Sequence, residues 1–390
     1  MQSIQFLYQY HLSSLLSHTQ RDPARKLHRW HWICAGIMAF LSPASHGEVP
    51  AEFQDTVIAQ DLLDPTALAV APDGRIFVAE QAGRLRIVDK GKLLPSSFLD
   101  ITSQVDSNGE RGLLGIALDP DFASNQWVYI HYTSKLPDIH NRVSRFTADG
   151  NLVVSGSEKI LLDIQPLSNA TNHNGGAIHF DNTGKLFIAV GDNADPENAQ
   201  TLDNLKGKLL RIYKDGRIPT SNPFFSTAKG INRAIWALGL RNPFSFAVQP
   251  GTDRIFCNDV GQNTWEEINR VVKGANYGWP LVEGKGSIAG FQNPVVAYAH
   301  QGKTVSGCAI IGAAFYNPTT TQFPSSYVGD YFYGDFCGGW IRKYDIASRK
   351  SKSFATGLNN LTDLQVAADG TLYVLEREGG LLKAIRWNGL

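Results

Sequence analysis

One unit recurs along the chain: a short apolar run, a polar turn often carrying Asp-Gly, a second apolar run, then an acid. It reads LAVAPDGRIFVAE at Leu68–Glu80 and IALDPDFASNQWVYIHY at Ile116–Tyr132, where the closing acid is missing. It returns as IHFDNTGKLFIAVGD at Ile178–Asp192, FAVQPGTDRIFCND at Phe246–Asp259 and LQVAADGTLYVLE at Leu364–Glu376, with a looser copy at Ala313–Asp335. Apolar runs this short, divided by turn residues, are strand signals, and Asp-Gly tolerates the positive φ of a tight hairpin. Long amphipathic helical patterns are absent. Further strand-like runs follow several copies, as at Arg84–Val88 and Leu381–Ile385.

A hairpin with one apolar face is not stable alone. Six of them, about 50 to 70 residues apart, predict radial packing that buries those faces: an all-β, six-bladed β-propeller with four-stranded antiparallel blades. The spacing leaves room for long loops between strands, and function concentrates in such loops.

Composition narrows the setting. The 390 residues hold 36 Lys+Arg and 36 Asp+Glu, and the balance gives no reason to expect nucleic acid. Arg25, Lys26, His28 and Arg29 precede the apolar run Trp30–Leu41 and the small residues of Ser42–Gly47. That is the order of a secretory signal. Residues 1–47 are therefore expected to be a leader and signal peptide, and 48–390 the propeller domain. The apolar run is short for a bilayer span, so no stable membrane span is expected after cleavage. A periplasmic or secreted location follows and permits disulfides. Cys308 and Cys337 each flank a strand-like run and are candidates to pair. Cys257, inside IFCND, reads as a buried free thiol.

Polar residues gather in the loops. His173 follows the polar segment Ser168–Asn172, and Asp192 ends the second strand of the same hairpin. Hairpin ends return to one edge of a sheet, so the two can meet, and an imidazole held by a carboxylate is a general base of fixed tautomer. A loop histidine bonded to nearby backbone is the plainer alternative. Arg241 and Asn242 in GLRNP, the acids and amides of Asn258–Asn269, and the aromatic loop Asn276–Pro280 are the other candidates. Glycine turns rich in acids and carbonyls suit a hard cation such as calcium. Phosphate loops, HExxH and nucleophile elbows are absent.

Taken in order, these segments resemble the soluble quinoprotein glucose/sorbosone dehydrogenases. The resemblance rests on ERGLLGIA at Glu110–Ala117 with DPDF at Asp119–Phe122, the His173 hairpin, GLRNP at Gly239–Pro243, DVGQ with EEIN between Asp259 and Asn269, and NYGWP at Asn276–Pro280. It covers about residues 55–387. It implies a propeller that uses pyrroloquinoline quinone (PQQ) and calcium. His173 then matches the base that deprotonates the sugar C1 hydroxyl, and Asp192 the acid that supports it. Arg241 and Asn242 match groups that hold the quinone and polarise it near its reactive carbonyl, which makes Arg241 a catalytic candidate as well as a cofactor-binding one. The carbonyls of Gly261 and Gln262 match ligands of the calcium on PQQ, and Glu267 with the Tyr277 carbonyl match a second calcium site.

The carboxylate grips of PQQ depart from the family pattern. Asn360 and Thr362 stand where arginines are expected, Glu110 falls near a family glutamine, and Phe336–Trp340 lacks the lysine. Arg111, Arg241, Arg342 and Lys343 are the cations that could compensate. The expected function is oxidation of aldoses to lactones with an external electron acceptor. The alternative is a non-catalytic propeller of the same family that binds glycans or proteins after loss of PQQ. A metal-dependent lactonase is a third class, but these loops assemble no central cluster of acids. The loops Leu136–His140 and Gly284–Phe291 are expected to set which sugar binds.

Overall fold

The computed structural model describes residues 48–389, and the leader and secretory signal expected over 1–47 lie outside the described residues. Six antiparallel sheets follow one another, each with a path of four strands, and two of them add a short fifth strand. The innermost strands are Pro65–Val70, Leu113–Leu118, Ile178–Phe180, Pro243–Val248, Ile310–Phe315 and Leu361–Val366. Each packs against the next, and Leu361–Val366 packs against Pro65–Val70, which closes the ring. The six-bladed propeller expected from the repeat is the fold. The only α-helix among the described residues is the four-residue turn Phe122–Asn125.

Closure uses a device that the repeat did not disclose. Phe53–Ala59, the first described strand, pairs with Leu381–Trp387 and completes the last blade from outside. The first and last described strands are thereby hydrogen-bonded to each other within one blade, which ties the ends of the ring together.

The blades explain the continuous apolar strands. Ile76–Glu80 is buried along its whole length. Its side chains alternate between two neighbours: Phe77 and Ala79 join the cluster shared with the second blade, and Ile76 and Val78 the cluster shared with the sixth. Six apolar clusters result, one in each interface between blades. Truncating a fully buried aromatic such as Phe332 in one of them should cost about 3–5 kcal/mol.

The register of the inner strand slips near its start in five of the six blades, for example between Pro65 and Ala67 and between Leu361 and Asp363. Such bulges re-aim side chains and recur beside functional sites. Here the mouth of the central channel is lined by residues at or next to the slips, including Thr66, Leu114, Phe244, Ser245, Thr362 and Asp363.

The acid that closes the repeat has a shared use. Glu80 accepts from the Leu63 N–H at 2.9 Å, Asp259 from Asn242 at 2.7 Å, Asp335 from Cys308 at 3.1 Å and Glu376 from Asn359 at 3.1 Å. In each case the carboxylate ties down the loop that leads into its blade's inner strand. The disulfide Cys308–Cys337 crosses the Asp335 turn with a Cα–Cα distance of 5.7 Å. It closes a loop of 29 residues, worth about 3–4 kcal/mol in the chain-entropy view. Cys257 is a buried free thiol, as expected. Among the described residues no helix is long and apolar enough to cross a membrane.

Candidate functional site

Asp192 is the exception among these acids. It is fully buried like Glu80, Asp335 and Glu376, but its partner is an imidazole: His173 Nδ1 lies 2.7 Å from Oδ1. The same oxygen accepts the Ala194 N–H at 2.8 Å, and the other accepts the Trp279 indole N–H at 2.8 Å. A carboxylate with these donors holds its charge toward the imidazole, so Nδ1 carries the proton and Nε2 the lone pair.

The backbone fixes His173 from both sides. Its φ is +57°, a left-handed setting uncommon for a residue with a side chain. The carbonyl of His173 takes the Asn193 N–H at 3.1 Å, and its own N–H goes to Glu110 Oε2 at 2.8 Å. A Cβ at Gly191 would collide with the His173 carbonyl and crowd the Asn242 side chain, so this position needs glycine. Glu110 thus serves the His173 loop.

GLRNP reaches the site from the fourth blade. Asn242 Oδ1 accepts the Gly175 N–H at 3.0 Å, and the Arg241 carbonyl accepts the Asp192 N–H at 2.8 Å. The Arg241 guanidinium lies 5.6 Å from the Trp279 ring centre, and its Nη1 donates to the Val260 carbonyl at 2.9 Å. Its Nε is buried without a partner among the described residues. An orphaned buried donor beside an imidazole base is a place for an acceptor-bearing group.

A small cavity adjoins Arg241, lined among others by Asp259, Gly261, Glu267, Tyr277 and Glu283. Burial pushes the Glu267 carboxyl up to about 7. Burial, with the charge of Glu267, also drives Asp259 well up. Acids that resist ionisation together are suited to a cation that would neutralise them. Glu283, missed in the sequence, shapes the rim: burial raises its carboxyl, but N–H groups from Gln262 to Trp265 converge on Oε1 and bring it below the usual range. Gly261 has no room for a Cβ against the Trp265 carbonyl. The Tyr277 hydroxyl donates to the Arg270 carbonyl at 2.7 Å, which anchors its side chain away from cation binding.

The other candidates divide. Thr362 is buried at the channel mouth, and its hydroxyl donates to the Leu375 carbonyl. Asn360 has a φ of +51° and accepts the Arg377 N–H at 2.9 Å. Three of the possible compensating cations are engaged elsewhere. Arg111 gives its terminal nitrogens to Asp106 at 2.7 Å and to the carbonyls of Ser168 and Ala170, while its Nε, like that of Arg342, is buried without a partner among the described residues. Lys343 pairs with Asp330, at the opposite end of its hairpin from Asp335, and Arg342 bonds the Ser351 carbonyl within its own blade. Arg377, which the sequence reading passed over, reaches Gln81 Oε1 at 2.5 Å and Asp64 at 3.0 Å. It is a cation on the loop face beside Asn360. Its signal was its place directly after the acid of the last repeat.

The chain is similar to several known proteins over most of its length. The family model described as glucose/sorbosone dehydrogenase matches residues 62–383. The aldose sugar dehydrogenase YliI of Escherichia coli is 32% identical over 364 residues, covering 84% of this chain and 91% of that one. The crystal structure of the soluble aldose sugar dehydrogenase from Escherichia coli in the apo form superposes with a TM-score of 0.76 at 29% identity, over 86% of this chain and 99% of that one. The PQQ-bound aldose sugar dehydrogenase of Streptomyces coelicolor gives a TM-score of 0.72 at 26% identity, over 87% and 100%.

Proposed function

The chain belongs to the glucose/sorbosone dehydrogenase family, and from that premise we propose that it is an exported, PQQ- and calcium-dependent enzyme that oxidises the C1 hydroxyl of aldose sugars to lactones and passes the electrons to an external acceptor. The observation that carries this reading is the buried His173–Asp192 pair, joined by the Asp192 N–H to the carbonyl of Arg241, whose Nε is buried without a partner among the described residues.

His173 acts as the base. With Nδ1–H committed to Asp192, Nε2 takes the proton of the C1 hydroxyl. Asp192 stabilises the imidazolium that forms, and Trp279 and Ala194 keep the carboxylate oriented. PQQ, when bound, supplies a two-electron acceptor for the hydrogen on C1. Arg241 Nε and Asn242 are the groups that would hold its quinone end. Arg377 would be the partner for one of the PQQ carboxylates, in place of the arginines absent at Asn360 and Thr362. Calcium would be held by the carbonyls of Gly261 and Gln262, and a second ion by Glu267 with the Tyr277 carbonyl. The carboxylate pair Asp259 and Glu267 supports a cation in this region.

Calorimetric titration of calcium-loaded protein with PQQ, followed by dye reduction with a panel of aldoses, tests the proposal. Saturable binding and sugar-dependent reduction are expected. Absence of binding at tens of micromolar PQQ would favour the non-catalytic propeller, for which the missing arginines at Asn360 and Thr362 are the specific argument.

A further inference from the structure

Lys208 opens the strand Lys208–Tyr213 and is fully buried. Burying an ammonium costs several kcal/mol unless partners replace its water. The partners here are main-chain carbonyls: Nζ donates to Asn198 at 2.6 Å, Lys206 at 2.6 Å and Ala199 at 3.2 Å. Three acceptors match the three N–H bonds of an ammonium; a neutral amine has only two and would turn a lone pair toward the third oxygen. Burial pulls the Lys208 ammonium down to about 7, and the charge of Asp192 works against that fall.

The turn gripped by Lys208 is built into the site. Asn198 Nδ2 donates to the Asp192 carbonyl at 2.9 Å, and Gly207 N–H to the Gly191 carbonyl at 3.0 Å. The Ala199 carbonyl also takes the Gly239 N–H at 2.9 Å, and Gln200 reaches the Trp279 carbonyl at 2.5 Å. The other charged groups nearby have separate engagements. Lys206 turns to the Pro166 carbonyl and feels Asp195, Glu110 holds the His173 N–H, and Asp259 holds the Arg241 and Asn242 amides.

We propose that Lys208 is a positioning residue for the His173 base: its buried positive charge balances Asp192, so that Asp192 stays ionised without drawing a proton onto His173, and its three donors clamp the 198–206 turn on which Gly239 and Trp279 rest. A buried carboxylate short of counter-charge favours the imidazolium, and an imidazole already protonated cannot serve as base; the other cation beside the pair, Arg241, spends Nη1 on the Val260 carbonyl and lies over Trp279. The inference rests on the reading of His173 as that base.

The test follows the His173 ring by NMR in cofactor-free protein, with the signal assigned by its loss in His173→Gln. In Lys208→Met, His173 should take up its proton about one pH unit or more higher than in the wild type. Lys208→Arg, which keeps the charge, should remain close to the wild type. In the loaded enzyme the acid limb of kcat/KM should move with it. A purely structural lysine would lower the melting temperature and turnover at every pH and leave the His173 titration in place, which overturns the inference. If neither variant folds, the ¹⁵Nζ signal of Lys208 in the wild type decides: an ammonium at pH 6 is required, and a neutral amine refutes it. The His173 titration needs neither sugar nor PQQ. Failure of the dehydrogenase reading therefore shows in turnover, and failure of this inference in the titration.

Discussion

His173 Nδ1 sits 2.7 Å from Asp192 Oδ1, and the two are the ends of one hairpin turned toward each other. Glu80, Asp335 and Glu376 take Arg86, Tyr298 and Lys383 as their side-chain partners, whereas Asp192 takes an imidazole. Replacing His173 by Gln should leave the fold intact and lower turnover about 10²- to 10⁴-fold, the usual worth of a positioned base. Asp192→Asn, which no longer fixes the tautomer, should lose turnover in the same range. Trp279→Phe removes one hydrogen bond to a charged group, about 1.5–3 kcal/mol, and should cost less than the loss of Asp192. Steady-state dye reduction with melting curves on the three variants checks the order.

Arg377 should matter to cofactor binding rather than to folding. Its partners Gln81 and Asp64 are on the loop face, and an exposed pair of this kind contributes little stability. Arg377→Gln should weaken PQQ about tenfold or more in calorimetry, with a melting temperature close to the wild type.

Calcium should stabilise the protein through the cavity beside Arg241. Removing it with a chelator leaves Asp259 and Glu267 buried together, so the melting temperature should fall and recover on adding calcium. In the metal-free protein Glu267 is raised from 4.5 to about 7, so its folded form holds its proton more tightly than the unfolded chain. That contribution is complete below about pH 4.5 and is lost as the pH rises toward 7. Melting curves at pH 5 and 8 should therefore differ more without calcium than with it. Glu267→Gln should reduce that difference and leave the part that buried Asp259 contributes.

His131 gives the opposite slope. It is fully buried, its Nδ1 lies 2.9 Å from the Gly176 carbonyl, and burial pulls its ring down from 6.5 to about 4. The unfolded chain then binds the proton more readily, so stability is present above pH 6.5 and is lost as the pH falls toward 4, by at most about 3 kcal/mol. Gly176 lies three residues after His173, so acid should loosen the site as well. Denaturant titrations at pH 7 and pH 5 should show a smaller loss in His131→Gln than in the wild type.

The parts legible in the sequence were those written locally. Asp-Gly turns between apolar runs give hairpins, and a hairpin brings its own ends together, so His173 and Asp192 could be paired from their position alone. Contacts between blades were not written in this way. Trp279 meets Asp192 across 87 residues, and only the packing of the fourth blade against the third brings them into contact. Lys208 reads as an outward strand lysine until the 198–206 turn is seen to fold over it. Glu110 read as an acid facing a ligand, and the bond to the His173 N–H shows that it also orders a loop. Arg342 and Lys343 were near the right segment, but strand pairing carries them away from the loop face. The pairing of Phe53–Ala59 into the last blade had no local signal, because an outer strand needs only to cover an edge.

The most direct test is the reaction itself in one turnover. Protein loaded with calcium and PQQ is mixed anaerobically with an aldose in a stopped-flow spectrometer, and the absorbance of the oxidised quinone is followed. The account predicts loss of that absorbance at a rate that saturates with sugar and falls about 10²-fold or more in His173→Gln. An unchanged spectrum with every aldose, or equal rates in the wild type and the variant, would contradict it.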